Sequence, residues 1–287
     1  MALSETQERL ARAESALTNI GKSSESAWDL LEAVGELESS FGPVLALKKE
    51  SGLAGDELER LLVRTASQRA LSRVAALPVE QSVRERLARD LETLHAMTAP
   101  MEAGSYNFNR ASKLATLRRF PAGPMEWEIS AIPRSFFLQA SFPANLKMAA
   151  FVATKLGGLG PCFFMHVAPA PRNRAFSIPK EVLRSYYRMA RSIETQPEMR
   201  AILAHAWFHD PRAVRDTPTL EVINEPYVSH GGLITLLGPA PASSGVLEGN
   251  AQRREAYLAG TLRYRYGFAI WPREAAIRWA QANPGLA

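Results

Sequence analysis

Residues 162–208 decide the fold class, and they read CFFMHVAPAPRNRAFSIPKEVLRSYYRMARSIETQPEMRAILAHAWF. A buried strand over Cys162–Ala168 precedes a proline-containing loop and a helix that begins near Ser177 and Pro179. The next run, Met199–Phe208, is almost continuously apolar, which indicates a strand covered on both faces. The order strand, helix, strand predicts a βαβ unit with parallel strands and a right-handed crossover.

The residues on both sides of this unit continue the alternation. Period-two alternation over Met125–Ile129 predicts a strand before the unit, and apolar runs over Leu233–Leu237 and Leu262–Trp271 predict strands after it. Asn250 is placed to cap a helix between the last two strands. We therefore predict an α+β (α/β) fold whose mixed sheet domain spans residues 125–287.

The hydrophobic pattern of the first 98 residues predicts a helical region. Apolar residues recur there at three- and four-residue steps, and local breaks, the last at Leu77-Pro78, divide the region into about four helices. Residues 99–124 contain prolines, glycines and a basic run, and are predicted to be a linker or loop. We expect the helical region to pack as a layer, or to pair two copies of the chain as a homodimer.

The composition limits the class of protein. The chain has 287 residues, a formal net charge of +5 and a single cysteine, Cys162, so no intrachain disulfide is possible. Neither a signal peptide nor an apolar stretch of about 20 residues is recognisable, which favours a cytoplasmic protein that is not in a membrane. Without a nucleic-acid-binding motif, the basic charge favours a small anionic substrate over nucleic acid.

The end of the second βαβ strand carries the most informative polar residues. His205, Trp207 and His209 stand at i, i+2 and i+4, so a continuous strand points all three to one side. A neutral histidine there is a candidate base, since its ordinary pKa lies near 6.5. Two histidines at this spacing also suit a metal, but we predict no metal site. The structural alternative is one core histidine and one surface histidine.

The first strand of the unit adds a third histidine. His166 lies in the middle of that strand, so parallel pairing brings it near His205. The loop that follows carries Arg172 and Arg174 just before a helix N-terminus, where backbone N–H groups favour anions. We predict these arginines to be cofactor-binding residues that anchor an anionic group.

Two glutamates form a separate candidate site. Glu126 and Glu128 share one strand face, opposite Trp127. On the solvent side of an edge strand they would be ordinary surface residues. In a pocket, one of them would act as a general acid or base.

The segment Asn250-Ala-Gln-Arg-Arg-Glu-Ala-Tyr257-Leu-Ala-Gly260 resembles the late helix of the GNAT acyltransferase family. An asparagine followed seven residues later by a tyrosine, near a glycine and before a strand, carries the resemblance. It implies that Asn250 helps to hold the acyl-CoA arm and that Tyr257 protonates the leaving thiolate. It also implies acyl-CoA as the cofactor. A capped amphipathic helix explains the same residues.

Three functional hypotheses follow. The first is a GNAT-like transferase of small-molecule biosynthesis, an acyl-transfer or condensing enzyme with His205 or His209 as base and Tyr257 as acid. The second is a CoA-independent acid–base enzyme of specialised metabolism that uses Glu126 or Glu128 in an aromatic pocket built by Trp127 and Phe136. The third is a non-catalytic binding or assembly protein.

Overall fold

The structure is a computed structural model, and it describes residues 49, 57–97, 105–169, 178–240 and 251–287. The helices predicted before residue 57, the loop with Arg172 and Arg174, and Asn250 lie outside the described residues. The chain forms two compact units, one of Met1–Leu77 with Gln81–Phe120 and one of Pro78–Glu80 with Pro121–Ala287.

The described residues form α-helices, strands and short helical turns. The helices are α1 (Glu57–Arg73), α2 (Gln81–Ala96), α3 (Tyr106–Ala115), α4 (Phe136–Gln139), α5 (Phe142–Phe151), α6 (Pro179–Glu194), α7 (Pro211–Asp216), α8 (Glu221–Ser229), α9 (Ala251–Leu258) and α10 (Arg273–Ala282). The strands are β1 (Arg119–Pro121), β2 (Met125–Ala131), β3 (Pro161–Val167), β4 (Ala201–Ala206), β5 (Leu233–Pro239) and β6 (Arg265–Pro272). A π-helical turn spans Val152–Leu156, and 3₁₀ turns span Val74–Ala76, Trp207–His209, Pro218–Leu220 and Pro284–Leu286.

The described part of the first unit contains α1, α2 and α3, which pack against one another. Helix α3 lies inside the segment that was predicted to be a linker. It forms because the Ser105 side chain accepts the Phe108 N–H, and because Phe108, Ala111 and Leu114 bury one face. The flanking prolines and glycines obscured this short amphipathic helix in the sequence.

Strands β2 to β6 of the second unit belong to a mixed sheet whose strand order is β1-β2-β3-β4-β6-β5. Strands β3 and β4 are parallel, with Phe163 opposite Ile202 and Met165 opposite Ala204. The pairs β2–β3, β4–β6 and β5–β6 are antiparallel. The α+β class and the parallel βαβ unit, formed by β3, α6 and β4, are therefore confirmed.

Helices cover both faces of this sheet. On one face, Tyr186 of α6 packs edge-on against Trp271 of β6 and Tyr227 of α8. On the other face, the segment with α4, α5 and the π turn buries an apolar cluster against the sheet; among its members are Phe136, Met148, Val152, Cys162, Leu203, Phe268 and Ile270. Coverage on both faces explains why β4 is almost continuously apolar.

Strand β4 ends earlier than the sequence predicts. After Ala206 the chain turns through the 3₁₀ segment Trp207–His209. The turn is stabilised by Asp210, whose carboxylate accepts the N–H groups of Arg212 and Arg265, both at 2.8 Å. The prediction that His205, Trp207 and His209 share one strand face is therefore wrong.

No helix in the described part of the chain combines the length and apolarity needed to span a bilayer.

Candidate functional site

The parallel strands β3 and β4 separate at their C-terminal ends. Their ladder stops at Met165 opposite Ala204, although β3 continues to Val167 and β4 to Ala206. A cavity of 180 Å³ occupies the opening. We call it the β3–β4 cleft, and it is lined by Met165, His166, Val167, Ala204, His205, Ala206, Trp207, Phe208 and Tyr266.

His166 of the cleft contacts a carboxylate of the neighbouring strand. Its Nε2 lies 3.4 Å from Oε1 of Glu128. In the antiparallel register Glu126 lies opposite His166 and Glu128 opposite Phe164, so both glutamates are on the same sheet face as the imidazole. A carboxylate beside a histidine orients the ring and stabilises the imidazolium formed on proton uptake.

His205 lies across the cleft among aromatic rings. Its ring centroid is 4.5 Å from that of Phe136 and 4.2 Å from that of Tyr266. Burial lowers the pKa of His205 from 6.5 to about 4, which keeps the ring neutral near pH 7. Its Nε2 is buried and has no hydrogen-bond partner among the described residues. His166 and His205 both line the β3–β4 cleft.

Glu126 is fully buried rather than solvent-exposed. The edge-strand interpretation of the two glutamates is wrong because β2 lies between β1 and β3 in the sheet. Trp127, on the opposite face, is also fully buried and stacks on Phe163 at 5.1 Å. Trp127 and Phe136 therefore lie on different faces and cannot line one aromatic pocket.

His209 lies outside the cleft and is held by an amide. Asn224 Nδ2 donates to the carbonyls of Phe208 and Leu220, so its Oδ1 is the acceptor that faces His209 Nδ1 at 2.7 Å. Nδ1 must therefore carry the proton, and Nε2 carries the lone pair. Burial lowers the pKa of His209 to about 4, although the bond to Asn224 acts in the opposite direction.

A second cavity, of 530 Å³, borders His209. We call it the His209 cavity; its lining consists of His209, Pro211, Val214, Glu221, Asn224, Glu225, Val228, Ser229, Ile234 and Leu236. The two predicted candidate bases thus line different cavities. Within the described ranges, no group of three His, Cys, Asp or Glu side chains is arranged to hold a metal ion.

Tyr257, the predicted acid, lies on α9 and lines neither cavity. Its hydroxyl donates to the carbonyl of Ala240 at 2.7 Å, and the Arg263 guanidinium lies 4.7 Å from its ring centroid. Its proton is thus already engaged. The other predicted cofactor-binding residues, Asn250, Arg172 and Arg174, fall outside the described residues.

Sequence reasoning missed Tyr266 and Asn224. Tyr266 alternates with Phe268 and Ile270 along β6, and this period-two pattern was the available signal. Asn224 is fifteen residues from its partner His209 and belongs to a different helix. No local pattern connects those two residues.

No family model matches this chain, and no curated protein matches it. Three solved structures that are similar to it are acyltransferases. One, in complex with decanoyl-CoA, has 16% sequence identity and a TM-score of 0.45, over 94% of this chain and 88% of that chain.

A second acyltransferase structure, in complex with decanoyl-CoA and teicoplanin, has 12% identity and a TM-score of 0.43, over 74% of this chain. A third, in complex with CoA and 10C-teicoplanin, has 13% identity and a TM-score of 0.40, over 73% of this chain. This chain spans 64% of the length of each of these two proteins.

Proposed function

We propose that this chain transfers an acyl group from acyl-CoA to an amine or hydroxyl acceptor at the β3–β4 cleft. The observation that carries the proposal is the end of the parallel ladder at Met165 and Ala204, beyond which both strands continue. An extended ligand with amide groups can enter such an opening as an added strand. The pantetheine arm of CoA is extended and carries amides along its length.

The register indicates which backbone groups would receive this arm. The Ala168 N–H bonds to Pro124 on the β2 side, and alternation then directs the peptide groups of Val167 toward β4. On the other strand, the Arg273 N–H bonds to the Arg200 carbonyl, so the peptide groups of His205 point toward β3. The Val167 peptide groups and the His205 carbonyl therefore offer the next ladder positions to the pantetheine amides.

The side chains supply the proton transfer. In the proposal, His166 takes the proton from the acceptor as its nitrogen or oxygen attacks the thioester carbonyl, and Glu128 stabilises the imidazolium. The new C–N or C–O bond forms, the C–S bond breaks, and the imidazolium returns the proton to the CoA thiolate. His205, neutral and close by, would accept a hydrogen bond that orients the acceptor. This assigns the acid role to His166 rather than to Tyr257.

CoA binding and turnover test the proposal separately. Free CoA should raise the melting temperature of the wild type, and Val167→Pro, which removes the peptide N–H directed toward β4, should weaken CoA binding about tenfold. His166→Gln should lower kcat by about 10²- to 10⁴-fold while CoA binding persists. Glu274→Gln, at an exposed surface carboxylate, is the matched control and should change neither. A wild-type protein that binds neither CoA nor acyl-CoA would rule out the proposal.

The contact of Glu128 with His166 also supports the CoA-independent alternative. In that case Glu128→Gln would abolish an acid–base reaction that requires no thioester. Absence of CoA binding, together with substrate turnover that depends on Glu128, would identify it. Anion anchoring by Arg172 and Arg174, a cytoplasmic location, a biosynthetic role and pairing through the helical region stay predictions.

A further inference from the structure

The His209 cavity has the composition of a ligand site, and the proposed acyl transfer does not use it. Pro211, Val214, Val228, Ile234 and Leu236 give it apolar walls. Glu221 and Glu225 also line it, whereas no lysine or arginine does among the described residues. Its 530 Å³ volume lies in the range of small-molecule sites, which are mainly apolar with a few convergent polar groups.

One polar atom of a residue that lines this cavity has no hydrogen-bond partner among the described residues. The His209 side chain belongs to a residue that is only 1% exposed, and its Nε2 has no hydrogen-bond partner in the described part of the chain. Because Nδ1 donates to Asn224, Nε2 is an acceptor and requires a donor. A buried acceptor without a donor destabilises a fold, so a ligand N–H or O–H at this position would be favourable.

The surrounding chain holds His209 rigidly. A Cβ added at Gly267 would lie 2.3 Å from the His209 Cβ and 3.1 Å from its carbonyl carbon, so β6 packs directly on this residue. Asp210, the next residue, is fixed by its two backbone N–H contacts. The acceptor is therefore preorganised, and a ligand would not have to order it.

The charged residues that line the cavity determine which charge a ligand's hydrogen-bond donor should carry. Glu225 Oε1 lies 2.7 Å from His230 Nε2, and Glu221 is one helical turn before it on α8. A cation is favoured beside these carboxylates, and an anion is repelled. We propose that the His209 cavity binds a primary alkylamine, with an ammonium N–H donated to His209 Nε2 and the chain against the apolar wall.

Calorimetric titration of the full chain with n-hexylamine tests this proposal, with 1-hexanol and hexanoate as matched probes. Hexylamine should bind with a Kd in about the millimolar range, hexanol about tenfold more weakly, and hexanoate not at all. Glu225→Gln should weaken hexylamine about three- to tenfold without affecting hexanol.

Three variants test where hexylamine binds. Val228, which is 72% exposed and lines the cavity, can be changed to Trp to fill it, and this should abolish hexylamine binding. Leu258→Trp is the control, at a residue that is 69% exposed and does not line the cavity, and it should bind like the wild type. His209→Phe removes the acceptor and should weaken hexylamine about tenfold.

Three results would overturn the inference: no saturable hexylamine binding, equal affinity for hexylamine and hexanol, or binding that survives Val228→Trp. None of them bears on acyl transfer, because Val228 lines only the His209 cavity of the two. The Val228→Trp protein should bind CoA like the wild type if the proposed function is right. The two proposals therefore fail separately.

Discussion

His205 and His209 are four residues apart and have opposite surroundings. Both are buried enough to lower the pKa to about 4. His205 contacts the rings of Phe136 and Tyr266 and opens to the β3–β4 cleft. His209 is tied to Asn224 and borders a different cavity. The comparison shows that burial makes both rings neutral, whereas the neighbouring groups determine what each neutral ring can do.

The packing of β6 on His209 gives the largest expected effect. Gly267→Ala places a Cβ against the Cβ and the backbone of His209, which cannot move away as the end of a flexible side chain would. We expect a loss of about 3 kcal/mol in the free energy of unfolding, or roughly 6–12 °C in melting temperature. Thermal unfolding measures it.

Gly238→Ala is the matched control, since a Cβ at that position meets nothing within 4 Å. It should leave the melting temperature within about 2 °C of the wild type. Equal destabilisation by the two substitutions would contradict the close packing of β6 on His209.

The second-largest expected effect is the loss of folding stability at low pH. Below pH 6.5 the unfolded chain protonates both histidines, while the folded rings remain neutral until about pH 4. Stability should therefore fall as the pH decreases from about 6.5 to about 4, by on the order of 3 kcal/mol for His209 and less for His205, which is partly exposed. Denaturant unfolding at several pH values measures the slope. A His209→Phe protein with an unchanged slope would contradict this assignment.

The smallest expected effect is the difference in unfolding free energy between His209→Phe and His205→Phe at pH 7. His209→Phe leaves Asn224 Oδ1 buried without its donor and should cost about 1–3 kcal/mol. His205→Phe places a ring of similar size among aromatic neighbours, so its unfolding free energy should stay within about 1 kcal/mol. Urea unfolding compares the two variants, and a larger loss for His205→Phe would reverse the comparison.

Much of the fold was predictable because local patterns match the elements. The apolar stretches around Phe163 and Ile202, with an amphipathic helix between them, predicted the parallel unit, and the structure has it. Strand ends were less predictable. The turn after Ala206 depends on Asp210 binding the N–H of Arg265, which is fifty-five residues away in sequence.

The candidate site was predictable only in part. Parallel pairing predicted that His166 would lie near His205, and both residues line the cleft. The contact of His166 with Glu128 required the antiparallel register of β2 and β3, which no single segment encodes. Burial of Glu126 likewise depends on the strand order of the whole sheet.

The sequence alone determined the alternation of strands and helices, since hydrophobic periodicity and chain stiffness act over a few residues. It also determined which residue types stand at the strand ends. Only the tertiary structure decided that His205 faces a cleft and that His209 is fixed by Asn224. Those outcomes depend on contacts between distant segments, and the free energy of a buried polar group is set by the partner it meets after folding.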